Sequence, residues 1–294
     1  MSDNGFPGFT DIFAQLDHVD DPDVHEKAKT NPALAAAYKI LRPNNWLDSG
    51  LTPEAALSIA VESGIPVCWV PPPQVLARLA EANPDDRMDV LRANESSVLE
   101  LCDSLIEESS DPTIRDTQTL TRRSLSAYTD GHHEAAMALA IAVAERLAIE
   151  AAKRELGFLV TAAEQAAYEK AVHSKYERAE QLLKFLASHK DGRGWFMYWR
   201  ALLQPVPKFF TPYYPDQGDP IPETTSRHAT VHNPTVEHLS KENALIALML
   251  CTSLLRDLQS WQEYERDQQL ALEESAHDEQ RFYEELVREP HING

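Results

Sequence analysis

Arginine holds a phosphate by a two-pronged hydrogen bond and keeps its charge at any physiological pH. Histidine takes and gives a proton near neutrality. Both stand together in Pro222-Glu-Thr-Thr-Ser-Arg-His-Ala-Thr-Val-His-Asn-Pro234, which holds Arg227, His228 and His232. At about 100° per residue, a helix over 227–232 sets the three at roughly 0°, 100° and 140°. One arc of its surface then carries a fixed cation and two titratable imidazoles. Cleavage of RNA by its own 2′-hydroxyl needs little more than a proton acceptor, a proton donor and a cation against the crowded phosphorane.

The same residues admit plainer readings. Histidines on soluble helices are commonly packed or solvated, and an Arg followed five positions later by His is a short pattern. His228 and His232 are also one turn apart, the HxxxH spacing that zinc accepts, with Glu237 and His238 close by. No HExxH glutamate and no CxxC pair completes a zinc site, so no metal ligand is assigned.

The surroundings favour catalysis. Arg227-His-Ala-Thr-Val-His-Asn233, a short polar spacer and Ser240-Lys-Glu-Asn-Ala-Leu-Ile-Ala-Leu-Met-Leu250 resemble the last helices of HEPN-domain proteins. That family's signature is Arg, four to six residues, then His, commonly with a polar residue straight after the Arg. Arg227, His228 and His232 match those positions. Upstream, Tyr128-Thr-Asp-Gly-His-His-Glu-Ala-Ala-Met-Ala-Leu-Ala140 is similar to the start of the family's core helix, so the resemblance spans roughly residues 115–260. Asn233-Pro234 stands where the family often has Gly after the His, and no Tyr stands at the second position after His232.

The resemblance implies an all-α fold and a metal-independent endoribonuclease without cofactor, in the manner of a toxin or phage-defence effector. His232 takes the 2′-hydroxyl proton or protonates the 5′-oxygen leaving group, Arg227 stabilises the phosphorane, and His228 orients the phosphate or shares the proton work. Products are a 2′,3′-cyclic phosphate and a 5′-hydroxyl. The implied partners are RNA (tRNA or another single-stranded loop), a second copy completing a composite active site, and an antitoxin or regulatory protein. A different class fits the same residues: a non-catalytic helical module that binds a nucleotide, RNA or protein partner, with Arg227 and His232 as phosphate ligands. A third is a structural interaction protein in which the cluster is a buried polar network.

The net charge of −20 over 294 residues opposes RNA binding, because phosphate contacts dominate that affinity. Its distribution softens the objection. From Asp257 to Glu289 there are eleven acids against three Arg, while Lys153 to Lys208 holds ten Lys and Arg against six acids. Arg193, Arg200 and Lys208 are interleaved with the aromatics of a Pro-rich loop over 204–222, including Phe209, Phe210, Tyr213 and Tyr214, and are candidate substrate contacts. Aromatic faces stack on unpaired bases. The competing reading, that they plug one end of a helical bundle, is preferred. Cys68, Cys102 and Cys251 form neither a disulfide framework nor a metal knuckle, and no leader or membrane-length apolar run stands out. The expectation is a cytoplasmic protein with no membrane contact.

The elements that must position the cluster are helices. The chain divides into an N-terminal helical region with a loose acidic arm (1–110), a HEPN-like bundle (111–260) and a charged C-terminal helix (261–294). Thr52-Pro53 starts a helix ending near Gly64. The prolines of Gly64–Pro73 forbid a central strand and predict a buried turn leading into a helix from Pro73 to Glu81. Asn83-Pro-Asp-Asp opens one helix reaching Ile106, and Ser109-Ser-Asp-Pro112 breaks the chain. A helix over 117–128 follows, then an Ala-rich helix from about His133 to Glu155 that is apolar nearly all round and therefore interior. Its Glu145 and Arg146 either form an ordinary ion pair or face solvent, or one of them lines the cleft that contains Arg227. His132 and His133 start this helix, facing solvent. Thr161-Ala-Ala-Glu164 is a capping box for a helix to about His189. Ser240 caps a last helix that packs centrally.

Overall fold

The computed structural model describes residues 43–159, 198, 201–206 and 213–288, and every regular element among them is helical. The elements are α1 (Asn44–Ser49), α2 (Pro53–Ser63), α3 (Pro73–Glu81), α4 (Arg87–Ala93), α5 (Glu95–Glu108), α6 (Arg115–Thr129), α7 (His133–Leu159), α8 (Arg227–His232) and α9 (Lys241–Arg288), with short 3-10 turns between some of them. The all-α expectation holds. The helix from Thr161 to His189 lies outside the described residues.

The centre is the pairing of α7 with α9, the most extensive contact between elements, with α6 next against α7. Alanines make the approach possible: Ala136, Ala140, Ala144, Ala148 and Ala151 are buried, with Met137, Ile141, Val143 and Leu147 filling the space between them. On α9 every residue from Asn243 to Leu255 is buried, as expected for a helix surrounded on all sides. The Ser240 hydroxyl caps α9, accepting from Asn243 N at 3.2 Å, and the helix then runs unbroken for 48 residues, about 72 Å at 1.5 Å per residue. The expected all-round burial of α7 needs correction. Glu134, Ala138, Ala142 and Arg146 are exposed, a four-residue spacing that traces one narrow solvent-facing stripe.

Local chemistry sets the N-terminal part. Thr52 caps α2 and Gly64 ends it at φ 68°, a left-handed conformation that glycine adopts without steric cost. The Pro-rich stretch after it has few backbone donors, and its carbonyls are satisfied from α1. Asn45 Nδ2 donates to Val67 O and Pro71 O at 2.9 and 3.0 Å, and Trp46 Nε1 donates to Val67 O at 2.8 Å. The single helix expected from Asn83 to Ile106 is instead a 3-10 turn, α4 and α5. Asn94 causes the break at φ −120°, ψ 19°. Its amide donates to Val90 O at 2.7 Å while its oxygen accepts from Arg78 at 3.0 Å, the side-chain competition with helical bonding that Asn commonly supplies.

Trp69 joins this region to the bundle. Its Nε1 donates to Tyr198 Oη at 3.0 Å, and Tyr198 Oη donates to Asp257 Oδ1 of α9 at 2.6 Å. Arg256 stacks over the Trp69 ring at 5.2 Å. Burial, with the charge of Asp257 beside it, pushes the Tyr198 hydroxyl well above its ordinary value, so Tyr198 stays a donor at any physiological pH.

The break at 109–112 is a tight corner pinned to α9. Asp111 N donates to Gln259 Oε1 at 2.9 Å, and Arg266 reaches the Asp111 carboxylate. The hydroxyl and backbone N–H of Thr113, then Arg266, hold the Asp111 carboxyl below its usual 3.8. The stability this contributes is present above 3.8 and lost as pH falls through the lower folded value. Asp111→Ala should lower the denaturation free energy at pH 7 by about 1 kcal/mol, as for other capping carboxylates. The gap between variant and parent should close in acid below pH 3.8. Urea melts at neutral and acid pH check both.

Candidate functional site

α8 is a six-residue helix built by its own flanks. Ser226 Oγ accepts from Ala229 N at 3.2 Å and starts the turn, as Ser does at N-caps. Beneath it, the Thr230 hydroxyl donates to Ser226 O at 2.8 Å. Buried His238 brings Nε2 to 3.1 Å from Thr230 Oγ1 and 3.2 Å from Ser226 O. The Thr230 proton is already committed, so His238 carries its own on Nε2. The backbone carbonyl of His238 accepts from Asn243 Nδ2 of α9 at 2.9 Å. His238 therefore clamps the segment before α8 to the start of α9. It is a framework residue, and neither its type nor its spacing announced that role.

α8 lies against α7, and one ion pair fixes its orientation. Arg227 Nε donates to Glu145 Oε2 of α7 at 2.6 Å, with the two side chains 22% and 20% exposed. Of the two charged residues singled out inside the α7 apolar run, Glu145 meets Arg227. Arg146 turns to Glu150 on its own helix at 3.2 Å. Engagement of Nε sets the plane of the guanidinium.

The two histidines lie side by side, ring centroids 5.0 Å apart. His232 is exposed and His228 half-buried. His228 Nδ1 is buried and finds no hydrogen-bond partner among the described residues. A buried N–H without an acceptor costs about 1–3 kcal/mol, so the tautomer with the proton on Nε2 is favoured. Tyr214 packs against His228 in a T-shaped contact, 5.2 Å between centroids.

No family model, curated protein or solved structure matches this chain.

The cluster must therefore be read from its own geometry. Arg227, His228 and His232 are brought together on α8, and sequence spacing anticipated that. Arg193, Arg200 and Lys208 lie outside the described residues. His132 is exposed and His133 packs against Tyr128 at 4.9 Å, on the far turn of α7 from Glu145. Among the described residues no three His, Cys, Asp or Glu side chains converge as metal ligands. Chemically, the group offers a positioned cation, an N–H donor on His228 and a solvent-facing imidazole on His232.

The Arg227–Glu145 pair is shielded on both sides, so it should couple more strongly than an exposed ion pair. A double-mutant cycle of Arg227→Ala and Glu145→Ala should give a coupling energy of about 1–2 kcal/mol. A value near zero would mean that the pair does not orient α8.

Proposed function

We propose that the chain is a metal-independent endoribonuclease of the HEPN type, cutting RNA to 2′,3′-cyclic phosphate and 5′-hydroxyl ends. The observation carrying this reading is that a guanidinium and two imidazoles share one short helix, with His232 facing solvent and Arg227 held at its edge. In this mechanism Arg227 meets the non-bridging oxygens of the scissile phosphate, where negative charge grows in the transition state. His228 donates from Nε2 to the same phosphate. His232 removes the 2′-hydroxyl proton as the 2′-oxygen attacks phosphorus, or delivers a proton to the departing 5′-oxygen. Glu145 acts through Arg227 as a positioning residue. A second copy presenting the same helix supplies the other proton-transfer partner, so the working unit is a homodimer. A toxic nuclease of this kind works in the cytoplasm under an antitoxin or another regulatory protein. No helix among the described residues is long and apolar enough to cross a membrane.

One observation favours a second reading. Glu145 offsets the charge of Arg227 in a chain of net charge −20, which suits a module that binds a nucleotide or RNA phosphate without cutting it.

Purified protein incubated with tRNA and ribosomal RNA in excess EDTA separates the two. The ribonuclease reading predicts cleavage with cyclic-phosphate ends. His232→Ala should slow it by about 10²–10⁴-fold and Arg227→Ala by about 10²–10³-fold. His228→Gln, which keeps a donor near Nε2, should cost less than about tenfold. Retained nucleotide binding without cleavage, abolished by Arg227→Ala, supports the module. Cleavage that is equal in parent and His232→Ala removes the site from the reaction.

A further inference from the structure

The aromatic loop before α8 divides at adjacent residues. Tyr213 is buried at 5% exposed, while Tyr214 is 46% exposed and stands beside His228. We propose that Tyr214 is a stacking platform for one unpaired RNA base, beside the phosphate held by Arg227 and the two histidines. The proposal rests on the phosphate-site reading above and names the part of the substrate that reading leaves open.

Three observations carry it. First, the ring is placed in advance. Tyr214 heads a tight turn, with Gln217 N donating to Tyr214 O at 2.9 Å and Tyr214 N donating to Asp219 Oδ2 at 2.8 Å. Gly218 closes it at φ 84°, a conformation that needs glycine. Fixing the backbone this way reduces the ordering cost of binding. Second, the rings of Tyr214, His228 and His232 follow one another at 5.2 and 5.0 Å. The two rings Tyr214 and His228 meet edge to face, and Tyr214 still leaves nearly half of its surface to solvent. Tyr214 thus adjoins the histidine pair, as a base would adjoin the phosphate of the same nucleotide. Third, the charges sort the two ends. Asp216, Asp219 and Glu223 around the turn are exposed and repel a phosphate there, whereas a base π-face carries no charge. At net charge −20 long-range repulsion opposes RNA binding, so contacts that salt does not screen add affinity that charge does not. Stacking is one.

The test compares inorganic phosphate with adenosine 3′-monophosphate as calorimetric ligands of the full chain, alongside RNA cleavage. The parent should bind the nucleotide more tightly than phosphate, by roughly five- to a hundredfold, and this ratio should persist from low to high salt. Tyr214→Phe should keep the ratio, and Tyr214→Leu should bring it near one without changing phosphate affinity. For cleavage, Tyr214→Leu should raise KM and leave kcat. The proposal is overturned by a parent ratio of one, by an unchanged ratio in Tyr214→Leu, or by equal loss in Tyr214→Phe. A fall in phosphate affinity with Tyr214→Leu would also overturn it, since the ring would then be supporting His228 instead of a base. Tyr214-dependent nucleotide binding without RNA cleavage would leave the platform standing and refute the ribonuclease. Cleavage indifferent to Tyr214→Leu would do the reverse.

Discussion

The close approach of α7 to α9 is the constraint from which the rest follows. Small side chains on α7 let two long helices pack with little space between their backbones, and such contact is worth having only if the apolar flanks fill completely. Because α9 is covered on all sides over its first turns, everything attached to its start inherits a fixed position. His238 and Asn243 pass that position to the segment before α8. Glu145, projecting from α7, sets the rotation of α8 through Arg227. The cluster is thus referenced to both central helices, so a six-residue helix that would be marginal alone becomes a rigid support.

The energetics of that support are divided between apolar and polar contacts. The bundle core supplies non-directional stabilisation, and polar clips decide where the loops go. Asn45 and Trp46 hold the Pro-rich stretch, Tyr198 links Trp69 to Asp257, and Asp111 ties the corner after α5 to α9. The three cysteines belong to the core. Burial pushes the Cys102 and Cys251 thiols up to about 12 and raises the Cys68 thiol well above its ordinary value, so they pack as small apolar side chains.

Much of the architecture was legible because it rests on local rules. Thr52 and Ser240 announced helix starts, Gly64 an end, and the unbroken apolar run after Asn243 a central helix. The break at Asn94 left no such signal, because a single amide side chain interrupts a pattern whose apolar period continues across it. The exposed stripe of α7 was hidden for a related reason: alanine marks neither inside nor outside. At the site, Arg227, His228 and His232 could be grouped by spacing, since neighbours on one short helix must be near each other. The partners contributed from elsewhere could not be. That Glu145 reaches Arg227 across 82 positions, that His238 is a clamp and that Tyr213 is buried while Tyr214 is exposed are consequences of tertiary packing, which leaves no periodic trace.

The proposed function turns on Arg227, His228 and His232 forming a phosphate-binding edge on α8. Nitrogen NMR of the imidazoles in histidine-labelled protein, titrated with inorganic phosphate, examines that edge without assuming any reaction. The His228 and His232 signals should move together and saturate, those of His132, His133 and His238 should stay still, and Arg227→Ala should abolish the response. Phosphate that leaves His228 and His232 undisturbed, or shifts all the imidazoles alike, would contradict it.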